Sequence, residues 1–275
     1  MKNLFILLSI IIFFSGCDEE LPQSSKFVIE AFLFAGEPVD DIYVKTIFPI
    51  SETEDISEPI GNATVTLFKE GVAYNLIASD TVGFYHYPDA NLTVEAGDVF
   101  NLEVNYDGVT ATAETIVPTP TTGVVASPDT LFYPGLVLGG GTDDERDSVN
   151  AILGALRMTA TWDNPNGDYY YMTVENIEAV QIPIFPLIAQ QFLERFKFVS
   201  EPTNENEISI LGVGLTALGT HSVKVYHVNQ EYVDLFLNQE QDSRDLNEPP
   251  TNIKGALGIF SAFNSGEGFF EADKL

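Results

Sequence analysis

Beyond position 17 the chain has no cysteine, so no disulfide staples the folded part. Stability must come from buried apolar surface, and a body of about 250 residues is long enough to bury one large core or two modest ones. Basic residues are scarce as well: 12 Lys and Arg stand against 41 Asp and Glu, a formal net charge of −29. That balance excludes nucleic-acid binding through phosphate contacts and repels anionic lipid headgroups. No run of the roughly 20 apolar residues needed by a spanning helix follows the short one at the N-terminus. Catalytic signatures are missing too: there is no Gly-x-Ser-x-Gly elbow, no His-Glu-x-x-His helix and no phosphate loop ending in Gly-Lys-Ser/Thr. The three histidines are His86, His221 and His227. On a strand the last two share a face but stand about 20 Å apart, too far to ligate one metal. The sequence therefore assigns no catalytic residue, no cofactor and no metal site, and it reads as a non-enzyme.

What is present begins with Cys17, the lone cysteine. Lys2 gives a short basic start, Leu4 to Phe14 is an apolar run broken only by Ser9, and Ser15 and Gly16 are small. That order predicts a signal peptide over 1–16. Phe14-Ser15-Gly16-Cys17 resembles a lipobox, in which the peptidase cuts before the cysteine and the thiol carries a diacylglycerol. Acyl chains on Cys17 would hold the chain to a membrane at about 0.8 kcal/mol per buried methylene. Residues 17–26 read as a polar tether, Asp18-Glu19-Glu20-Leu21-Pro22-Gln23-Ser24-Ser25-Lys26, reaching on the order of 15 Å as flexible coil. Acidic residues directly after the cysteine resemble the surface-export signal of Bacteroidota lipoproteins, whereas an Asp there favours inner-membrane retention in proteobacteria.

The rest is rich in strand and turn formers, with 15 Pro, 21 Gly, 20 Phe and 11 Tyr. From Phe27 to Pro118, short β-like runs alternate with turn signals. Phe27 to Phe34 ends at Gly36 and Pro38, Asp41 to Ile50 follows, and Ala63, Val65 and Leu67 share one face of a half-buried strand. Phe100, Leu102, Val104 and Tyr106 alternate with polar residues up to Asp107-Gly108, a pair suited to a tight hairpin, and Val109 to Ala113 returns. A sandwich of immunoglobulin or prealbumin type fits 27–118. Pro118-Thr119-Pro120-Thr121-Thr122-Gly123 marks a boundary, because two prolines cannot continue a central strand.

A second domain is expected over 124–275. Leu156, Met158, Ala160 and Trp162 alternate, a Pro/Gly turn follows, and Tyr170 to Val174 returns, an order similar to a fibronectin type III sandwich. The fold class is thus all-β: two consecutive immunoglobulin-like or fibronectin-like β-sandwiches, the second with one or two short inserted helices. One helix is expected over Phe185 to Val199, where Phe185, Ile188, Phe192 and Phe196 fall at helical spacing. These four are the candidate partner contact, with packing over an open sandwich edge as the alternative. Asn229 is placed to cap a second helix with Tyr232, Val233, Phe236 and Leu237 on one face.

Three weaker signals complete the reading. The acidic stretch 142–147 after three glycines has oxygen ligands for calcium without the strict spacing of a calcium loop, and fits a solvated loop. Asp163 and Asp168 flank the Pro/Gly turn as a conceivable carboxylate pair, though turns commonly use Asp. Asp80-Thr81-Val82, Asp129-Thr130-Leu131 and Asp147-Ser148-Val149 resemble Bacteroidota O-glycosylation acceptors.

The run Tyr226 to Asp234, the stretch Pro249 to Ala262, Val28-Ile29-Glu30-Ala31, Gly61 to Leu67 and Ala96-Gly97-Asp98 together resemble an uncharacterised Bacteroidota outer-membrane lipoprotein family, known only as a domain of unknown function and often encoded beside TonB-dependent receptors. The resemblance implies a cell-surface-facing, lipid-anchored protein of the outer membrane. Its implied role is an accessory or scaffold subunit of a TonB-dependent uptake complex or another barrel assembly. The alternative is a surface module that binds a glycan or peptide through exposed tyrosines or Trp162.

Overall fold

The computed structural model describes residues 27–47, 57–134, 142–185, 197–238 and 250–275. Cys17 and the segments 1–16 and 17–26 expected to be a leader and a tether lie outside them, as do Ile188, Phe192 and Phe196. In chain order the strands of the first half are β1 (Phe27–Phe34), β2 (Asp41–Thr46), β3 (Thr64–Lys69), β4 (Val72–Asn75), β5 (Ile77–Ala78), β6 (Phe84–His86), β7 (Val99–Tyr106) and β8 (Val109–Ile116). β9 (Val125–Ser127), β10 (Thr130–Tyr133), helix α1 (Asp143–Ala155), β11 (Arg157–Thr161), β12 (Tyr169–Asn176) and β13 (Ile182–Pro183) follow. Last come β14 (Lys197–Val199), β15 (Glu207–Leu211), β16 (Ala217–Val228), helix α2 (Gln230–Asn238) and β17 (Leu257–Lys274).

Alternation decides which face each strand buries. Along β1, Phe27, Ile29, Ala31 and Leu33 are buried while Val28, Glu30, Phe32 and Phe34 are only half-buried. The β7–β8 ladder closes at Asp107-Gly108, both at positive φ, as a two-residue hairpin turn demands. Glu70-Gly71, again both at positive φ, turns β3 into β4.

One large sheet runs β14-β12-β16-β17-β1-β2-β6-β5, with β10 also on β17 and β13 on β16. A four-stranded sheet, β4-β3-β7-β8, shares a core with β1 and β2, and a three-stranded sheet, β15-β11-β9, shares another with β12 and β16. The result is the all-β pair of consecutive sandwiches expected from the sequence, with two α-helices among the described residues of the second half.

β17 belongs to both sandwiches. Leu257–Phe263 pairs parallel with Val28–Phe34, Phe263–Ala272 pairs antiparallel with Val228–Gly219, and Glu271–Lys274 pairs parallel with Thr130–Tyr133. Its 18 residues trace about 60 Å at the rise of an extended strand. Ile253, Ala256, Phe260 and Ala262, which the sequence groups with the second domain, are buried in the first core. A third cluster, Phe263, Tyr171, Tyr226, Val228 and Val233 with Phe32, Phe34 and Tyr232 against it, sits where the halves meet.

The expected linker is lashed down rather than free. Asn264 Nδ2 donates to the Pro118 carbonyl at 2.9 Å, His227 Nδ1 to that of Thr119 at 3.0 Å, and the Asp163 amide to that of Thr122 at 2.9 Å. α2 straps the other side: Asn229 Nδ2 donates to the Ile116 carbonyl at 2.9 Å, and Glu231 Oε1 accepts from Thr115 at 3.0 Å and Ser261 at 3.2 Å.

Gly266 measures how tightly the joint is closed, since a Cβ there would lie 2.2 Å from the Thr121 carbonyl oxygen. Gly266→Ala is expected to cost on the order of 3 kcal/mol and to lower the melting temperature of both halves in one transition. Gly154→Ala, in α1 with open space around it, should be neutral or mildly stabilising. Differential scanning calorimetry of the two variants checks this; a Gly266→Ala protein in which only one half melts early would refute the shared joint.

Candidate functional site

The body has two ends. Phe27, the first of the described residues, lies at the Leu257 end of β17, and the C-terminal residues of β17 mark the far end. At the far end the last residue of β12 faces His221 across β16, and Arg157 at the start of β11 faces Leu211. Backbone bonds then tie three loops into one surface: the Ile177 amide donates to Thr220, the Ile184 amide to Thr216, and the Gly212 amide to Leu156, at 2.8–3.0 Å. Tyr133 supports it from below, donating to the Gly212 carbonyl at 2.7 Å. Burial pushes that phenol well above its ordinary pKa, so it stays a donor.

This surface is apolar and open. Ile177, Val180, Ile182, Leu211 and Val213 are all exposed, Val180 to 77%. Grouped apolar side chains left in water at loops mark an interaction surface more often than scattered ones do. The sequence reading missed these residues because they come singly from separate segments, Ile182 from β13, Leu211 from the end of β15 and the others from the connections beside them.

Phe185, proposed as a contact, packs inward. It is half-buried against the second core, edge-to-face with Tyr133 at 6.4 Å between centroids. The reason is local: β13 pairs with β16 and Ile184 bonds Thr216, which turns the next side chain beneath the loop. Ile188, Phe192 and Phe196 fall outside the described residues, yet both flanks of that segment, Phe185 and Lys197, sit at the far end. The end of the expected helix, Lys197–Val199, is strand β14.

The aromatics considered for ligand binding are core. Trp162 and Tyr170 are buried with centroids 5.7 Å apart, and His227 stacks on Tyr170 at 4.9 Å. Tyr171 and Tyr226 stack at 4.8 Å in the joint, where burial pushes the Tyr226 phenol up to about 12. Asp163 accepts from Thr122 at 2.9 Å, and Asp168 is held by Asn164 through backbone bonds that close the turn. The Asp168 carboxylate accepts from Asn166 Nδ2 at 3.3 Å and lies 3.8 Å from His227 Nε2, so both carboxylates serve the joint and its turn.

The acidic stretch 142–147 opens helix α1 instead of forming a loop, and acids in a first turn complement the helix dipole. Among the described residues no three His, Cys, Asp or Glu gather to hold a metal. Of the acceptor-like triplets, Thr81 lies on an exposed turn, Thr130 is half-buried in β10 beside buried Leu131, and Ser148 lies within α1. Among the described residues no helix is long and apolar enough to cross a membrane.

Near the Phe27 end, α2 lies over the outer face of β1 and β17. Between them is an apolar groove of about 440 Å³ lined by Val28, Phe32, Leu257, Ile259, Leu235 and Phe236 among others, with Glu30 the charged residue on its wall.

The family model described as Domain of unknown function (DUF4249) matches residues 17–268. The chain belongs to that family. No curated protein matches the sequence. Among solved structures, a two fibronectin type-III domain segment from chicken tenascin is 9% identical, with 90% of this chain and 98% of that one covered and a TM-score of 0.27. Domains A168–A170 from titin are 12% identical over 75% of this chain and 61% of that one, with a TM-score of 0.21. A Dscam structure is 13% identical over 92% and 47%, with a TM-score of 0.18.

His221 is fully buried at the far end of this DUF4249 member. It stacks on Phe270 at 4.9 Å, and its Nδ1 donates to the Gly219 carbonyl at 2.9 Å. Desolvation lowers its pKa below the ordinary 6.5. The folded state thus resists the proton that the unfolded chain takes up. Stability is fully present above about pH 6.5 and is lost as pH falls through the lowered folded value. His221→Gln should flatten the acid limb of a melting-temperature profile taken between about pH 5 and 8; an unchanged slope would show that His221 carries no such linkage.

Proposed function

We propose that this protein is a non-enzymatic, lipid-anchored outer-membrane lipoprotein of Bacteroidota type. In this reading it faces the cell surface and serves as an accessory or scaffold subunit of a TonB-dependent uptake complex or another outer-membrane barrel assembly. One observation supports the reading: the tied, two-sandwich body begins at Phe27 at one end and carries its open apolar loops at the other, so a lipid on Cys17 would anchor the end opposite those loops. The family match starting at residue 17 is consistent with a leader removed before Cys17. Net charge of −29 keeps the body off anionic headgroups, so only the acyl chains hold it there. The far end can stand up to about 60 Å from the tether, where it would meet a part of the partner that projects beyond the bilayer.

Glycan or peptide capture through aromatics is less well supported, because Trp162, Tyr170, Tyr171 and Tyr226 are all buried. The test is purification from native outer membranes in mild detergent, beside a Cys17→Ala form and a Val180→Asp, Ile182→Asp form. A barrel protein should come with the wild type near stoichiometrically, and both variants should lose it. Recovery of the lipoprotein alone from membranes that contain barrels would overturn the scaffold role.

A further inference from the structure

We infer that the groove between α2 and the outer face of β1 and β17 is a built-in seat for one acyl chain of the protein's own lipidated Cys17. The inference rests on the lipoprotein reading above and adds a ligand site to it. Three observations carry it.

The first is the character of the groove. At about 440 Å³ it falls within the usual range for small-ligand sites, and its walls are aliphatic and aromatic side chains of two strands and a helix. Such a slot suits a flexible hydrocarbon, which brings no polar group that would be left unpaired there.

The second is position. β1 begins at Phe27 and the next residue, Val28, lines the groove beside its β17 partner Leu257. From there the slot follows the strands to Phe32, where Tyr232 meets the Phe32 ring at 6.4 Å between centroids. Four strand steps give about 13 Å of length. The tether, residues 18–26, spans about 30 Å when extended, so a chain on Cys17 can fold back onto the mouth of the groove.

The third is charge. Glu30 sits on the wall, ion-paired with Lys45 at 2.6 Å, in a chain of net charge −29. A free fatty acid would bring a carboxylate into that field. An acyl chain joined through ester or amide bonds is neutral and meets no such repulsion. The source favoured is therefore the covalently attached lipid.

Seating one chain would leave the others to hold the membrane and would draw the first sandwich close to it. The experiment places the photoreactive residue benzoylphenylalanine at position 236 of the full-length protein in its native membrane, followed by illumination and mass spectrometry of the digested protein. The expected product joins the α2 peptide to the acylated Cys17 peptide. Val28→Trp, which fills the mouth, should reduce it about tenfold, equivalent to ~1.4 kcal/mol, with an unchanged melting temperature. Cys17→Ala should abolish it. Cross-links to phospholipid, to another protein or to none of these, with the acyl mass present on Cys17, would overturn the seat while leaving the anchor intact. A Cys17 peptide with no acyl mass would overturn both, and the same spectrum tells the two failures apart.

Discussion

At Phe263 the chain passes from one core to the other. On one side of β17 that residue faces Phe34 of the first sandwich, and on the other it faces Val228 of the second. Everything else about the joint depends on this pairing. The parallel partner β1 comes from the start of the folded chain and β17 from its end, so the first core cannot be completed until the C-terminus is in place. Glycine makes the approach possible. A Cβ at Gly258, which has φ +113°, would lie only 1.9 Å from the Ile29 carbonyl oxygen, and only glycine holds that geometry without strain.

A chain without disulfides has to secure such a junction by burial and hydrogen bonding, and the distribution of polar contacts follows from that. Asn229, Glu231 and Asn264 each bind across the joint, reaching 30 to 146 residues along the chain. The Asn264 bond satisfies the Pro118 carbonyl in a buried position, where an unpaired group would be costly. Around them the aromatic cluster supplies apolar area: Phe34 stacks on Phe263 at 5.0 Å and Tyr232 meets the same ring edge-on at 5.0 Å. The excess of acids stays at the surface, where repulsion opposes self-association without disturbing the core.

The parts legible in the sequence are those whose partners lie nearby. The β7–β8 hairpin is specified by its own alternation and by Asp107-Gly108, and β11 by the period-two burial of Met158, Ala160 and Trp162. α2 was legible from its apolar stripe, ending with Val233 fully buried. β17 was not, because Gly258, Gly266 and Gly268 interrupt the alternation, and they are there to admit another backbone, which sequence alone does not display. α1 was hidden by its acidic, Asn- and Ser-containing composition, which reads as loop. Phe185 misled because a helical spacing of phenylalanines looks like a surface stripe until the strand before it is seen to turn the ring inward. The exposed cluster at Ile177, Val180 and Val213 is assembled from separate turns and has no sequence pattern at all.

These features bear on function through stiffness. Two sandwiches joined by a plain proline-rich linker would sample many relative orientations, and contacts at one end would place no constraint on the other. Here the linker carbonyls at 118, 119 and 122 are all engaged, β17 runs unbroken through the joint, and α2 bridges Thr115 to Ser261. A contact made at either end of the body would then constrain the orientation of the other. A second binding event made from an already oriented body is effectively intramolecular. On that argument the rigid joint would let contacts made at the two ends of the body act together, with neither having to be strong alone.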